Sequence, residues 1–149
     1  MGSQSDYSVM RDCEKILRIL KIKYQVSIVS AHRTPKRMFE FAESASKNGF
    51  AVIIAGAGGA AHLPGMVASL ATVPVIGVPI ESRKLKGLDS LLSIVQMPKG
   101  CPTATMAING AFNAGLHAAS IIGTFDLKVR SNLEKWKRLQ TKFVKKKPK

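Results

Sequence analysis

The chain has 149 residues, of which 46% are hydrophobic, and it carries 23 Lys or Arg against 9 Asp or Glu, for a formal net charge of +14. This length is typical of one domain with one hydrophobic core. No stretch reaches the roughly 18 uninterrupted apolar residues of a membrane-spanning helix, and the first residues lack the cationic-then-apolar pattern of a signal peptide. We therefore expect a cytoplasmic protein without a membrane partner.

Short apolar runs alternate with helical patterns along the chain, which indicates parallel strands joined by helices. We expect strands at 24–29, 51–54 and 75–78, and at 104–108 either a further strand or a bend into the next helix. The expected helices are 8–20, 35–47, 63–70, 89–95, 111–122 and 126–142. The pattern predicts a doubly wound α/β domain that binds ligands at the carboxyl ends of its strands.

The first residues have the composition of a phosphate-binding loop that leads into a helix. Ser3 and Asp6 stand at the helix entrance, where either could serve as a cap. Free N–H groups at such a helix start also attract anions, and Asp6 could accept hydrogen bonds from ribose hydroxyls. A loop of this kind normally follows a strand, and here only Met1 precedes it.

Polar residues follow the predicted strand at 24–29. Histidine titrates near neutrality, so His32 can both give and take a proton at working pH. Arg33 presents a planar fork of donors that suits a phosphate, and Ser30 and Thr34 flank the pair. The structural alternatives are a buried histidine that holds the loop and an arginine in a surface ion pair. Together with a glycine-rich loop after the next strand, these residues indicate proton transfer on an anionic small molecule.

The glycine-rich loop at 56–61 matches the relaxed dinucleotide pattern Gly-x-Gly-x-x-Ala, with Glu81 as a candidate ribose-binding acid. That fingerprint normally belongs to the first strand–helix unit of its fold, whereas this loop belongs to the third. We expect His62 to position the loop, because no second ligand stands at zinc-like spacing. Cys13 and Cys101 share no such spacing either, and we expect both to be reduced thiols.

Most of the excess positive charge lies at the C-terminal end. Residues 126–149 hold ten Lys or Arg and two Asp or Glu, in an amphipathic helix with Val129, Leu133, Trp136 and Phe143 on one stripe, followed by a lysine-rich tail. Such basic tails are commonly solvated. Since no aromatic side chains are interleaved as stacking platforms, we do not expect specific nucleic-acid binding.

Four motifs in series make the chain resemble the carboxyaminoimidazole ribonucleotide mutase family. They are Gly2-Ser3-x-Ser5-Asp6, Ser30-Ala31-His32-Arg33-Thr34-Pro35, the stretch 55–65 and the stretch 89–98. The resemblance covers residues 1–122 and implies a flavodoxin-like three-layer αβα sandwich, assembled as a homo-octamer, with no metal and no organic cofactor. It implies an isomerase of purine biosynthesis, which moves the carboxylate of N5-carboxyaminoimidazole ribonucleotide from the exocyclic nitrogen to ring carbon C4.

The resemblance also implies roles for individual residues. His32 and Ser30 match the positions where the chemistry takes place, with His32 as proton donor and acceptor. The positions that match substrate-binding residues are Ser3, Asp6, Arg33, Ala57, Gly58 and Leu63. We expect residues 96–98 to cover the pocket, residues 1–125 to form the catalytic domain, and residues 126–149 to form a C-terminal helix and basic tail.

The sequence departs from the family pattern in two places. The family's apolar first strand ends in the Met-Gly-Ser that opens this sequence, so the strand itself is absent. Losing its buried aliphatic side chains would forfeit roughly 5–10 kcal/mol, which is comparable to the net stability of a domain, and we expect an unstable chain unless oligomer contacts compensate. The segment 107–114 is shorter than its family counterpart, and we expect this difference to affect subunit packing rather than catalysis. The segment 81–87 carries more charged residues than its family counterpart.

Three other functions compete with the mutase. A dinucleotide-dependent oxidoreductase would use the glycine-rich loop and would bind NAD or NADP. A non-enzymatic polyanion-binding module would depend on the basic tail, so deleting the tail would abolish its binding. An inactive relative of the mutase is the third.

Overall fold

A parallel sheet forms the centre of the protein. The computed structural model describes residues 1–145 and 147. In those residues the sheet has three strands in the order β1-β2-β3, with bounds β1 (Ile53–Gly58), β2 (Val75–Ile80) and β3 (Ala104–Thr105). β2 lies between its two neighbours and is buried along its whole length. The parallel pairing confirms the expected α/β class.

Helices connect the strands. Their bounds are α1 (Tyr7–Ile19), α2 (Pro35–Ser44), α3 (Leu63–Leu70), α4 (Leu88–Val95), α5 (Ala111–Ile122) and α6 (Leu127–Phe143), with a short 3-10 turn at Gln4–Asp6 before α1. The expected bounds of α3 and α5 are confirmed, and the other helices differ from expectation by one to three residues at an end. Within the described part of the chain, no helix is both long and apolar enough to cross a membrane.

The helices form one layer on each face of the sheet. α2, α3 and α4 cover the face that receives Ile53, Ala55 and Ala57 from β1. α1 and α5 cover the opposite face, which receives Ile76 and Val78 from β2. The result is a three-layer αβα sandwich with a buried apolar cluster on each side of the sheet, as expected for a flavodoxin-like fold.

Two glycines in the strands let helices approach the sheet closely. A Cβ atom at Gly56 would lie 2.4 Å from the sulfur of Met10 on α1. On the other face, a Cβ atom at Gly77 would lie 2.4 Å from Cγ2 of Ile94 on α4. These positions therefore fix the depth at which α1 and α4 pack.

The last helix, α6, packs against α1 and α5. Asp126 caps its start, because Oδ1 accepts hydrogen bonds from the backbone N–H groups of Lys128 at 2.8 Å and Val129 at 3.1 Å. Trp136 contacts Phe112 of α5 with ring centroids 6.0 Å apart.

The apolar stripe expected on α6 ends before Phe143. Val129 and Leu133 are buried, but Phe143 is 82% exposed. The helix extends beyond the surface on which it packs, so its last turn is exposed to solvent. Of the basic tail expected beyond it, residues 146, 148 and 149 lie outside the described residues.

The segment 24–29 was expected to be a strand, and this expectation is wrong. Its hydrogen bonds to other backbone groups of the described chain go to Met1, whose amino group donates to Ser27 O at 3.1 Å and whose carbonyl accepts from Val29 N at 2.8 Å. Strands are stable only with paired neighbours. The pairing with Met1 amounts to two hydrogen bonds, which is too little to form a strand within the described residues.

The strand expected at 51–54 is also displaced. β1 begins at Ile53 and continues through Gly58, because each of its residues pairs with a residue of β2. The glycine-rich loop expected at 56–61 therefore overlaps the strand at residues 56–58. Pairing with β2 keeps them in the strand and moves the loop to residues 59–62.

Candidate active site

A cavity of about 790 Å³ opens at the carboxyl ends of β1 and β2. This edge is where open α/β sheets bind ligands. The residues singled out from the sequence all lie in its lining: Ser3, Asp6, Ser30, His32, Arg33, Ala57, Gly58 and Leu63. The structure thus brings the N-terminal loop, the His32 loop and the end of β1 into one pocket.

The N-terminal loop is braced by the carboxylate of Asp6. Its Oδ2 accepts a hydrogen bond from Ser3 N at 3.0 Å, and its Oδ1 accepts from Ser5 Oγ at 3.4 Å. The hydroxyls of Ser3 and Ser5 are also hydrogen-bonded to each other. Asp6 is buried, and Ser3 is half-buried on the cavity wall. The loop is therefore held in shape by its own side chains.

Ser30 organises the turn that carries His32 and Arg33. Its hydroxyl accepts a hydrogen bond from Arg33 N at 3.2 Å, and its backbone N–H donates to Thr34 Oγ1 at 2.9 Å. The next residue, Pro35, opens α2 at a position where a missing N–H has no cost. These bonds hold the side chains of the turn at the mouth of the cavity.

Arg33 links this turn to the N-terminal loop. One terminal guanidinium nitrogen, Nη2, donates to Gly2 O at 2.9 Å. The other, Nη1, makes no hydrogen bond to any of residues 1–145 or 147. The guanidinium therefore holds the two loops together and still has donors for an anion.

His32 contacts a second histidine, His62, directly. Nε2 of His32 lies 2.8 Å from Nδ1 of His62, and the rings meet edge to face with centroids 4.9 Å apart. In a neutral pair one nitrogen donates and the other accepts, so the tautomers of the two histidines are linked. His62 was expected to position its loop, and the contact shows that it also orients His32.

Ser90 of α4 fixes the floor of the pocket, a role that the sequence did not reveal. Its hydroxyl donates to Ile80 O at 2.6 Å and accepts from Gly59 N at 2.8 Å. Gly59 has a φ of +69°, a conformation that suits glycine. One fully buried hydroxyl thus joins the ends of β1 and β2.

The rim of the cavity carries Ser82, Arg83, Lys86 and Asn109. They lie in the segments 81–87 and 107–114, which depart from the family pattern in the sequence, but sequence reasoning gave no single one of the four a role in the site. Asn109 holds Glu81, since its Oδ1 accepts from Glu81 N at 2.9 Å and its Nδ2 donates to Glu81 Oε2 at 3.1 Å. The segment 107–114, expected to matter for packing, therefore reaches the pocket. Asn109 has a left-handed backbone, with a φ of 58°, a conformation that asparagine adopts more readily than most residues.

The charges of the lining favour an anionic ligand. Arg33, Arg83 and Lys86 contribute three cationic groups, and Asp6 and Glu81 contribute two anionic groups. Asp6 is already engaged by its own loop, so cations dominate the accessible surface.

The described residues contain no cluster of three His, Cys, Asp or Glu with the geometry to hold a metal ion. Cys13 and Cys101 are both free thiols, as expected, and burial raises the pKa of Cys13 to about 12.

Residues 96–98, expected to cover the pocket, are absent from its lining. Met97 packs instead against Gly65, where a Cβ atom would lie 2.7 Å from its Cε.

Comparison with known proteins identifies the family. A family model described as AIR carboxylase matches residues 1–142. The chain belongs to the AIR carboxylase family. The resemblance drawn from the four motifs is confirmed.

Relatives in the AIR carboxylase family are similar over most of their length. A protein of Haemophilus influenzae is 56% identical over 97% of this chain and 89% of its own, and one of Escherichia coli K12 is 54% identical over 97% and 86%. One of Thermotoga maritima is 63% identical over 83% and 72%. All three are named N5-carboxyaminoimidazole ribonucleotide mutase.

The fold also matches a solved structure. The crystal structure of Treponema denticola PurE superimposes with a TM-score of 0.87, covering 95% of this chain and 89% of that one, at 24% identity. The flavodoxin-like three-layer fold is thereby confirmed.

Proposed function

We propose that this AIR carboxylase family member is an isomerase of purine biosynthesis, an N5-carboxyaminoimidazole ribonucleotide mutase. The single observation that carries the proposal is the joining of Ser3, Asp6, His32 and Arg33 in one open pocket. Relatives that bear this name are 51–63% identical to the chain and support the same activity.

The pocket suits a nucleotide monophosphate. Arg33 and the backbone N–H groups of the N-terminal loop bind the phosphate, because both present donors to an anion. Ser3 and Asp6 bind the phosphate and the ribose hydroxyls. The backbone of Ala57 and Gly58, together with Leu63, lines the place of the imidazole ring.

The reaction moves a carboxylate within one molecule. The bond between the exocyclic nitrogen and the carboxylate carbon breaks to release CO2, and His32 gives a proton to the departing nitrogen. Ring carbon C4 then attacks the carbon of the trapped CO2, and His32 takes the proton that C4 loses. One proton leaves His32 and one returns, so the net change is an isomerisation that uses no cofactor.

Ser30 assists by binding the migrating carboxylate. Its Oγ accepts from Arg33 N, which leaves the hydroxyl proton free to donate. A donor aimed at the carboxylate keeps CO2 near C4 between the two steps. The catalytic work belongs to residues 1–125, and residues 126–149 serve as a C-terminal helix and basic tail.

The protein works as a homo-octamer in the cytoplasm. An exposed apolar stripe on α4 supports assembly, since Leu88, Leu92 and Val95 stand at helical spacing and are each about half exposed. Exposed apolar patches of this kind mark interaction sites. Leu85 extends the same patch in front of the helix.

Replacing His32 by Asn tests the proposal. We expect turnover in both directions to fall by at least about 100-fold, because the proton donor and acceptor is removed, while the Kd for the nucleotide changes little. His117→Asn, at an exposed histidine on α5, is the matched control and should keep full activity. Loss of binding together with turnover would make His32 a scaffold residue, and tight NAD binding without mutase activity would favour an oxidoreductase.

A further inference from the structure

The loop that follows β2, residues 81–87, has no part in the function proposed above. We call it the rim loop. Three of its seven residues are the cations Arg83, Lys84 and Lys86, and one is an acid, Glu81. Arg83 and Lys86 line the active-site cavity, whereas Lys84 does not. Two cations of the rim loop therefore face the space in which a ligand binds.

Ser82 holds the rim loop in shape. Its hydroxyl donates to Asp89 Oδ1 at 2.7 Å and accepts from the backbone N–H groups of Leu85 and Gly87, each at 3.3 Å. Lys86 has a left-handed backbone, with a φ of 53°, which is uncommon for a residue other than glycine. Such conformations persist only where the surrounding contacts enforce them, and they cluster at ligand sites. The rim loop therefore presents its cations in a defined arrangement.

Ile108 and Asn109 support the rim loop from the neighbouring segment. Asn109 N donates to Pro79 O at 2.8 Å, and its side chain makes the two hydrogen bonds to Glu81 described above. Ile108 packs so closely that a Cβ atom at Gly87 would lie 2.7 Å from its Cγ2. The two segments in which the sequence departs from the family pattern thus form one unit at the rim.

The cations of the rim loop are available to a ligand. Within residues 1–145 and 147, the side chains of Arg83 and Lys86 form neither an ion pair nor a hydrogen bond, and both are exposed at the mouth of the cavity. The acid of the loop, Glu81, is bonded to Asn109 instead. Two unpaired cations that line the same cavity suit a doubly charged oxyanion.

The rim loop and Arg33 lie on opposite sides of β1. β2, which leads into the rim loop, neighbours β1 on one side. The N-terminal loop lies on the other side, since Gly2 N donates to Gly56 O of β1 at 3.2 Å, and Arg33 donates to Gly2 O. Neighbouring strands are about 4.8 Å apart, so roughly 10 Å separates the two sides. A phosphate held by Arg33 therefore does not reach the rim loop.

We propose that Arg83 and Lys86 form a second anion subsite, which binds a phosphate dianion at the rim of the cavity. Arg83 supplies a planar fork of donors and Lys86 a compact charge, and together they balance two negative charges. The subsite deepens the proposed function and rests on it in one respect, because that function assigns the phosphate of the bound nucleotide to Arg33. The phosphate at the rim belongs either to a nucleotide that enters or leaves, or to a separate ion.

Binding of inorganic phosphate to the full chain tests the subsite. In an Arg33→Gln background, which weakens the first anion site, we expect isothermal titration calorimetry to detect binding at millimolar phosphate. Adding Arg83→Gln and Lys86→Gln should raise the Kd by at least about tenfold, because two charge-assisted contacts are lost. Lys84→Gln with Lys99→Gln is the matched control, which removes the same net charge outside the cavity lining and should change the Kd far less.

Three results of this titration would overturn the proposal. They are no detectable phosphate binding in the Arg33→Gln background, an unchanged Kd after Arg83→Gln and Lys86→Gln, and an equal rise in the control, which would show a response to net charge alone. Turnover plays no part in the measurement. Failure of the subsite is therefore distinguished from failure of the proposed function, which the His32→Asn kinetics test.

A second titration distinguishes the two sources of the phosphate. Inorganic phosphate is added to the unsubstituted chain saturated with aminoimidazole ribonucleotide, and to the same complex of the Arg83→Gln, Lys86→Gln variant. Phosphate binding that persists in the first and is lost in the second would assign the subsite to a separate ion. Complete displacement of phosphate by the nucleotide would assign it to the nucleotide's own phosphate. Persistent binding that is equal in both complexes would overturn the subsite.

Discussion

The short contact between His32 and His62 determines how the proposed acid–base residue is presented. Because Nε2 of His32 faces Nδ1 of His62 at 2.8 Å, its other nitrogen is the one left for a ligand. No group in residues 1–145 or 147 hydrogen-bonds that Nδ1 atom. If His32 is the proposed acid–base residue, His62 is a positioning residue that acts through it.

We predict that His62→Ala lowers kcat by about tenfold or more with little change in KM, since orientation rather than binding is lost. His62→Gln, which keeps a hydrogen-bonding group of similar reach, should recover part of the activity. Steady-state kinetics of the three proteins would check this. A change confined to KM would instead place His62 in substrate binding.

Met1 makes stability depend on pH. Burial lowers the pKa of its amino group below the ordinary value of 8.0, so between the two values the unfolded chain holds more protons than the folded one. The free energy of unfolding therefore rises with pH and levels off above about pH 8. Urea denaturation should show this rise for the free amine and a smaller one for N-acetylated protein. Identical pH profiles would contradict it.

Sequence reasoning found the pocket residues that follow apolar runs and missed those that depend on tertiary contacts. Ser30, His32 and Arg33 could be predicted because the run 24–29 ends at the same edge as β1 and β2, although it is not itself a strand. Ser90 was missed because a serine within a helix gives no sign that its hydroxyl will bridge two strand ends. Asn109 was missed because its left-handed backbone depends on the surrounding fold.

At the scale of elements, helices were easier to predict than strands. The hydrogen bonds of α3 and α5 are local, so the periodicity of apolar residues and the flanking Pro and Gly suffice. Strands need a distant partner, and the sequence shows the partner only indirectly. The segment 24–29 has the composition of a strand but lacks a full neighbour, whereas β1 extends through its glycines because β2 pairs with them.

The start of α6 gives a prediction at this scale. Asp126 satisfies two otherwise unpaired N–H groups, so Asp126→Ala should lower the free energy of unfolding by about 1 kcal/mol. Asp126→Asn keeps an acceptor at the same place and should cost much less. Urea titrations followed by circular dichroism would compare the three proteins. Equal stabilities for Ala and Asn would show that the cap does not contribute.

For the whole molecule, the exposed stripe on α4 connects stability with assembly. Burial of these side chains against a second copy would add to the apolar area that one chain buries alone. If the proposed octamer forms through this stripe, assembly therefore also raises stability.

We predict that Leu92→Asp converts the proposed octamer into smaller species, because it places a charge in the centre of the apolar stripe. Leu139→Asp, at a similarly exposed leucine on α6, is the control and should leave the size unchanged. Light scattering at several concentrations would separate the outcomes. Octamers in both variants would exclude the α4 stripe as the interface.

The single tryptophan of the chain also has a practical consequence. Trp136 contacts Phe112 at the junction of α5 and α6, and none of the described residues that line the active-site cavity is a Phe, Tyr or Trp. Intrinsic emission excited at the indole band therefore reports the detachment of α6 and carries little signal from an occupied pocket. Ligand titrations should instead follow the absorbance of the imidazole nucleotide itself.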